Sequence, residues 1–177
     1  MVLSQNIVLS VISLLLAFWV KIPIIPSLPF LRLDISDTPI LIATMLSGYS
    51  SGISILFTVS ILRCMFFSSA GFMGLIVRLT SVFLVLSVYY LRKPNINITY
   101  RVFMSVLCVL ICICIKLPIN YLGWIYVYGM PKKIIANLML SCILPFNALK
   151  IALNYLLAII LFKPFKRLFA RVFRTVI

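Results

Sequence analysis

Apolar runs long enough to cross a bilayer follow one another along this chain, with only short polar breaks between them. A hydrocarbon core about 30 Å thick takes roughly 20 apolar residues in a helix. Lipid offers no partner to an unpaired backbone group, so a spanning segment is a helix or part of a closed barrel. Barrel strands would show as roughly 10-residue segments of alternating polarity. The runs here are longer and nearly continuous, which points to helices. Hydrophobic residues make up 64% of the 177, against roughly 45–50% apolar in a soluble domain. No soluble core could hide that excess. The expected fold is an all-α integral membrane protein, a single membrane domain over 1–177 with six transmembrane helices. They are placed at about 1–25, 39–47, 52–67, 71–91, 102–119 and 134–162.

The breaks carry the punctuation. Pro23, Pro26 and Pro29 end the first run, because proline removes a donor and clashes with the preceding turn. Asp37 or Thr38 can cap the second helix, and Pro39 suits its first turn. Gly48 to Gly52 and Ser68 to Gly71 read as turns. Pro145 predicts a kink in the last helix. Trp124, Tyr126 and Tyr128 fall in a loop expected at about 120–133, where amphipathic rings suit a membrane interface.

The formal charge of +14 sits mainly between the runs and in the tail Lys163 to Arg174. It reads as topology signal and anionic-lipid contact rather than as a nucleic-acid surface. The basic tail, with Arg92, Lys93 and Arg101, places both termini in the cytoplasm; Lys132 and Lys133 are the exceptions to this pattern. Cys64, Cys108, Cys112, Cys114 and Cys142 fit buried small apolar positions and show no metal-ligand spacing. With no histidine and two acidic residues in the chain, acid–base catalysis has almost no equipment. No enzyme activity, metal or cofactor is expected.

Those two acids, Asp34 and Asp37, lie in the first polar break, Phe30-Leu31-Arg32-Leu33-Asp34-Ile35-Ser36-Asp37-Thr38-Pro39. This segment is expected to wall a binding site. An ionisable residue inside a span is costly and marks function by default, which singles out Arg63, Arg78, Lys116 and Lys150. Arg63 and Lys116 lie near helix ends and can snorkel. Lys150 follows Asn147 by three residues, so both project from one helix face, just after Pro145. Such a group can read a mixed donor–acceptor ligand, or Lys150 can pair with Asp34 as a structural lock; both readings bring Lys150 to the Asp34 loop. Asn120 is a second candidate amide or a helix cap. Ser13 and Ala17 form a small-residue pair that permits close helix approach.

Three segments then carry a family resemblance: the Phe30–Pro39 loop, Asn120-Tyr121 followed by Tyr128-Gly129-Met130-Pro131, and Pro145-Phe146-Asn147-Ala148-Leu149-Lys150. Together they resemble the substrate-binding S component of energy-coupling factor (ECF) vitamin transporters, in the riboflavin-specific RibU-type branch. The chain departs from that branch where Gly74-Leu75-Ile76-Val77-Arg78 stands in place of a Glu-containing motif, and where Arg63 and Thr38 replace the usual residues. The resemblance implies an S-component-like six-helix bundle in the plasma membrane that binds riboflavin from outside. Leu33, Asp34, Asn120, Asn147 and Lys150 would line the pocket. It implies a membrane-embedded coupling protein and two cytoplasmic ATPases as partners, with Ser13 and Ala17 facing the former. The alternatives are another vitamin such as pantothenate, or a structural membrane protein with no ligand.

Overall fold

The computed structural model of the chain describes residues 2–20, 22–23, 32–67, 71–93, 96–126 and 129–172. Expected features at Lys21, Pro26, Pro29, Phe30, Leu31, Ser68 to Ala70, Pro94, Asn95, Tyr128 and Phe173 to Arg174 lie outside them.

Helices dominate. They are α1 Val2–Trp19, α2 Thr38–Ser47, α3 Tyr49–Phe67, α4 Gly71–Leu79, α5 Val82–Arg92, α6 Ile98–Tyr126, α7 Lys132–Leu138 and α8 Leu144–Val172. A π-helical turn, Met139–Ile143, joins α7 to α8. Two residue pairs, β1 Ile22–Pro23 and β2 Arg32–Leu33, make one antiparallel bridge at the base of the first loop. Five helical segments among the described residues are long and apolar enough to cross a membrane, with α4–α5 and α7–α8 each counted as one. The sixth expected helix, α2, has only 10 residues.

Several expected boundaries move. The first helix stops at Trp19 rather than near 25, because Ile22–Pro23 leave it to pair with Arg32–Leu33. The fourth expected helix is two, divided at Thr80-Ser81, where Ser81 N–H bonds to Arg78 O at 2.9 Å. The fifth runs on through Pro118 to Tyr126, so the loop expected from 120 is helical up to 126. A membrane helix tolerates proline when neighbours re-satisfy the freed backbone group. The kink expected at Pro145 takes the form of the preceding π turn, a common way to absorb one surplus residue. The basic tail continues α8 as far as Val172 instead of forming a separate element.

The short α2 is the hub of the bundle. Every residue from Thr38 to Thr44 is buried, and Ile40, Leu41 and Ile42 pack with Leu9, Ile55, Val59, Leu84, Val88 and Ile151 in one core. Gly52 allows this closeness: a Cβ there would meet the Thr44 hydroxyl and would lie 2.8 Å from a Val85 methyl. The outer faces carry exposed apolar residues such as Val11, Leu15, Phe103, Leu110, Leu156 and Ile160. That is the pattern of a surface solvated by lipid tails.

Contacts fix which helix ends share a side. Asn6 donates to Ser51 at 3.2 Å, Tyr49 packs edge-on to Tyr89, and the Arg92 guanidinium stacks over Phe162 at 3.9 Å. The start of α1, the ends of α5 and α8, and with them Arg92, Lys93 and the basic stretch from Lys163 to Arg171, therefore lie at one end of the bundle. The Asp34 loop lies at the other.

Candidate functional site

The loop after β2 is shaped by its own polar groups. Thr38 N–H bonds to Ile35 O at 3.1 Å, closing a turn that launches α2. Ser36 donates both its N–H (3.3 Å) and its hydroxyl (2.6 Å) to Asp34 Oδ1. Asp37 stands at the N-cap position but makes no side-chain cap bond. Its carboxylate turns instead toward Arg78 Nη2, at 3.4 Å. The expected cap is thus replaced by an ion pair. In this buried setting a counter-charge offsets more desolvation than a backbone N–H does.

Asp34 is the centre. It is 3% exposed. Its Oδ2 lies 2.9 Å from Lys150 Nζ and 3.5 Å from Arg63 Nη1. Arg78 reaches the same carboxylate indirectly, donating from Nη1 to the Ser36 hydroxyl at 3.0 Å. Burial pushes the Asp34 carboxyl up. Lys150, Arg63 and Arg78, helped by the Ser36 hydroxyl, overcome that and hold it well below the usual carboxylate range. Asp34 is therefore a buried carboxylate that its cationic neighbours favour in the ionised form.

Helix α8 brings the distant half of the site. Lys150 meets Asp34 from 116 residues away. One turn further on, Asn154 donates Nδ2 to the Asp34 carbonyl (3.2 Å) and to Lys150 O (2.9 Å), and accepts from the Thr38 hydroxyl at 3.0 Å. Asn154 is a site residue that sequence reasoning misses. A signal for it exists, because 147, 150 and 154 place three polar residues on one face of the largely apolar stretch before Lys163.

The remaining expected residues fall as follows. Leu33 is buried, and its backbone pairs with Ile22. Asn147 is half-buried, and its amide donates to Ile143 O at 2.9 Å, within the helix that follows the π turn. Asn120 is half-buried on α6, a turn past Lys116 rather than in a loop. Among the described residues the Asp34 carboxylate is held by Ser36, Arg63 and Lys150, and neither Asn120 nor Asn147 joins them. Ser13 and Ala17 point inward: Ser13 donates to Ser36 O at 2.5 Å, and both are essentially inaccessible. A serine hydroxyl needs an acceptor that lipid cannot give, which explains why that face of α1 lies against the loop rather than outward. Arg78 and Lys116, two further intramembrane cations, are buried. Lys116 Nζ donates to the Ser81 hydroxyl at 3.3 Å. An open groove of about 530 Å³ lined by Asn97, Tyr100 and Phe103 lies at the opposite, basic end of the bundle.

A short apolar hub, a loop pinned by buried charges and a lysine arriving from the last helix can be compared with known proteins. The family profile described as "ECF transporter, substrate-specific component" matches residues 8–162. The chain belongs to the substrate-specific component family of ECF transporters. A solved structure described as the S component of a bacterial ECF transporter is similar to it, with a TM-score of 0.68 and 26% identity, covering 97% of this chain and 96% of that one. Comparison with curated proteins gives no match. As an S component the chain is a multi-pass, substrate-binding transport subunit and not an enzyme.

Proposed function

We propose that this S component captures a vitamin from outside the cell beneath the Asp34 loop, with riboflavin as the first candidate. It would then release the vitamin through an ATP-driven coupling module made of one membrane protein and two cytoplasmic ATPases. The observation that carries the reading is the 2.9 Å contact between Asp34 and Lys150. It joins two of the three segments whose sequence resembles the riboflavin branch. Leu33, Asp34, Asn120, Asn147 and Lys150 are the proposed lining. In this reading the basic end of the bundle, with both termini, faces the cytoplasm, as the positive-inside rule favours. Ser13 and Ala17 would reach the coupling protein only if α1 turned about its axis.

Two measurements test this. Detergent-purified protein should carry a yellow flavin chromophore. Lys150→Ala should weaken ligand binding at least ~10-fold, or about 1.4 kcal/mol. Undiminished affinity in that variant overturns the site. A colourless protein that binds pantothenate keeps the class and changes the vitamin.

A second reading draws on the same contact, because Lys150 and Asp34 satisfy one another's charge. The pair would then be a fold lock, with the substrate held by other residues. A thermal-shift titration of wild type and Lys150→Met separates the two, since a ligand stabilises by RT ln(1 + [L]/Kd): a lock alone lowers the melting temperature and leaves Kd unchanged.

A further inference from the structure

The charges around the Asp34 loop do not balance. Arg63, Arg78 and Lys150 gather there against Asp34 and Asp37, and a fourth buried cation, Lys116, is bonded to the Ser81 hydroxyl. The whole sequence contains no other acidic side chain, so no further Asp or Glu of this chain can complete the count. At least one positive charge stays in excess at the loop.

The donors are also under-used. Arg63 and Lys150 both lean on the single oxygen Oδ2 of Asp34, from 3.5 and 2.9 Å. Their side chains keep 26% and 21% of their surface open, so each has further N–H groups free to turn toward an incoming ligand. Behind them Arg78, 9% exposed, rests Nη2 against the Asp37 carboxylate at 3.4 Å without a hydrogen bond, and its Nε has no acceptor. A buried donor left unpaired costs about 1–3 kcal/mol, and more when charged. Such a cluster is stable only if something supplies negative charge and acceptor oxygens.

We propose that the transported ligand carries an anionic group, a carboxylate or a phosphate, which seats between Arg63 and Lys150 at the Asp34 loop. This rests on the reading of the chain as a vitamin-binding subunit and sharpens it: neutral riboflavin is then a poorer ligand than an anionic vitamin or a phosphorylated flavin. An anionic lipid headgroup offers the same phosphate chemistry from another source.

The test uses the full chain in phosphatidylcholine nanodiscs, with riboflavin, riboflavin 5′-phosphate and pantothenate as probes. At least one anionic probe should bind ~10-fold or more tighter than riboflavin, and rising salt should reduce that preference as screening grows. Arg63→Gln should collapse the preference toward unity, and Arg63→Lys should retain most of it. Riboflavin binding as tightly as both anionic probes overturns the proposal and leaves vitamin binding intact. So does a preference unchanged in Arg63→Gln. If phosphatidylglycerol nanodiscs abolish the preference, the site belongs to lipid and the ligand assignment falls. If no probe binds, the vitamin-binding reading itself fails, and this inference with it.

Discussion

Asn154 Nδ2 lies 3.2 Å from the backbone carbonyl of Asp34. The side chain of one helix thus holds the main chain of the loop, while Lys150 holds its carboxylate. Asn154→Leu removes this bond, leaving the Asp34 carbonyl without that donor, and leaves the buried Thr38 hydroxyl with only the Asn154 main-chain carbonyl at 3.5 Å. Unsatisfied buried groups cost about 1–3 kcal/mol, and side-chain bonds within membranes average about 0.6 kcal/mol. We expect a loss of ~1–3 kcal/mol, read as a lower melting temperature in detergent. An unchanged melting temperature would remove Asn154 from the framework of the site.

Asp34→Asn should harm stability more than Lys150→Met. The first strands Lys150 and Arg63 and weakens the anchor for Arg78. The second leaves Asp34 with Arg63 still beside it. Losing one partner of a buried pair costs about 3–5 kcal/mol. Partial exposure of Arg63 and Lys150 lowers this to roughly 2–3 kcal/mol for Asp34→Asn and ~1–2 kcal/mol for Lys150→Met. The double variant should recover part of the loss, and a double-mutant cycle measures the coupling. Equal costs for the two single variants would count against Asp34 as the shared centre.

Acid should act on the same carboxylate in a defined direction. Its pKa is depressed in the folded protein, and the unfolded value is about 3.9. The stabilisation is therefore fully present above the unfolded value and drains away as pH falls through the folded one. Melting temperature should hold down to about pH 5, then fall more steeply in wild type than in Asp34→Asn. Parallel profiles would show that some other group governs the acid limb.

Gly52→Ala should cost about 1–3 kcal/mol through overpacking. The new methyl would sit 2.8 Å from Val85 and against the Thr44 hydroxyl, which is itself bonded to Ile40 O. Thermal unfolding of the variant checks the figure. An unaffected protein would mean that α2, α3 and α5 can part without loss.

Much of the fold is legible in the chain. Apolar run length announces the helices, and a chain with two carboxylates makes Asp34 the natural partner for Lys150. Helix ends are harder to read. Pro118 looks like a terminator, yet α6 passes through it to Tyr126, since a membrane helix tolerates proline where a neighbouring group can donate to the carbonyl that proline leaves open. The division at Thr80-Ser81 has no proline or glycine to mark it. Small residues at 13 and 17 indicate close packing but not which neighbour they pack against; Ser13 meets the chain's own loop. Asn154 escapes notice because one amide in an apolar run reads as helix glue until its partners are known.

The π turn at Met139–Ile143 gives α7 and α8 different angular phases. One residue beyond the α ladder shifts the upstream helix by about 100° relative to the downstream one. The face that α7 shows is therefore set independently of the 147–150–154 stripe. Deleting a single residue between 139 and 143 would swing Lys132 and Lys133 around the bundle while Lys150 stayed on its carboxylate. The surface that α7 presents is thus separable from the Lys150–Asp34 pair.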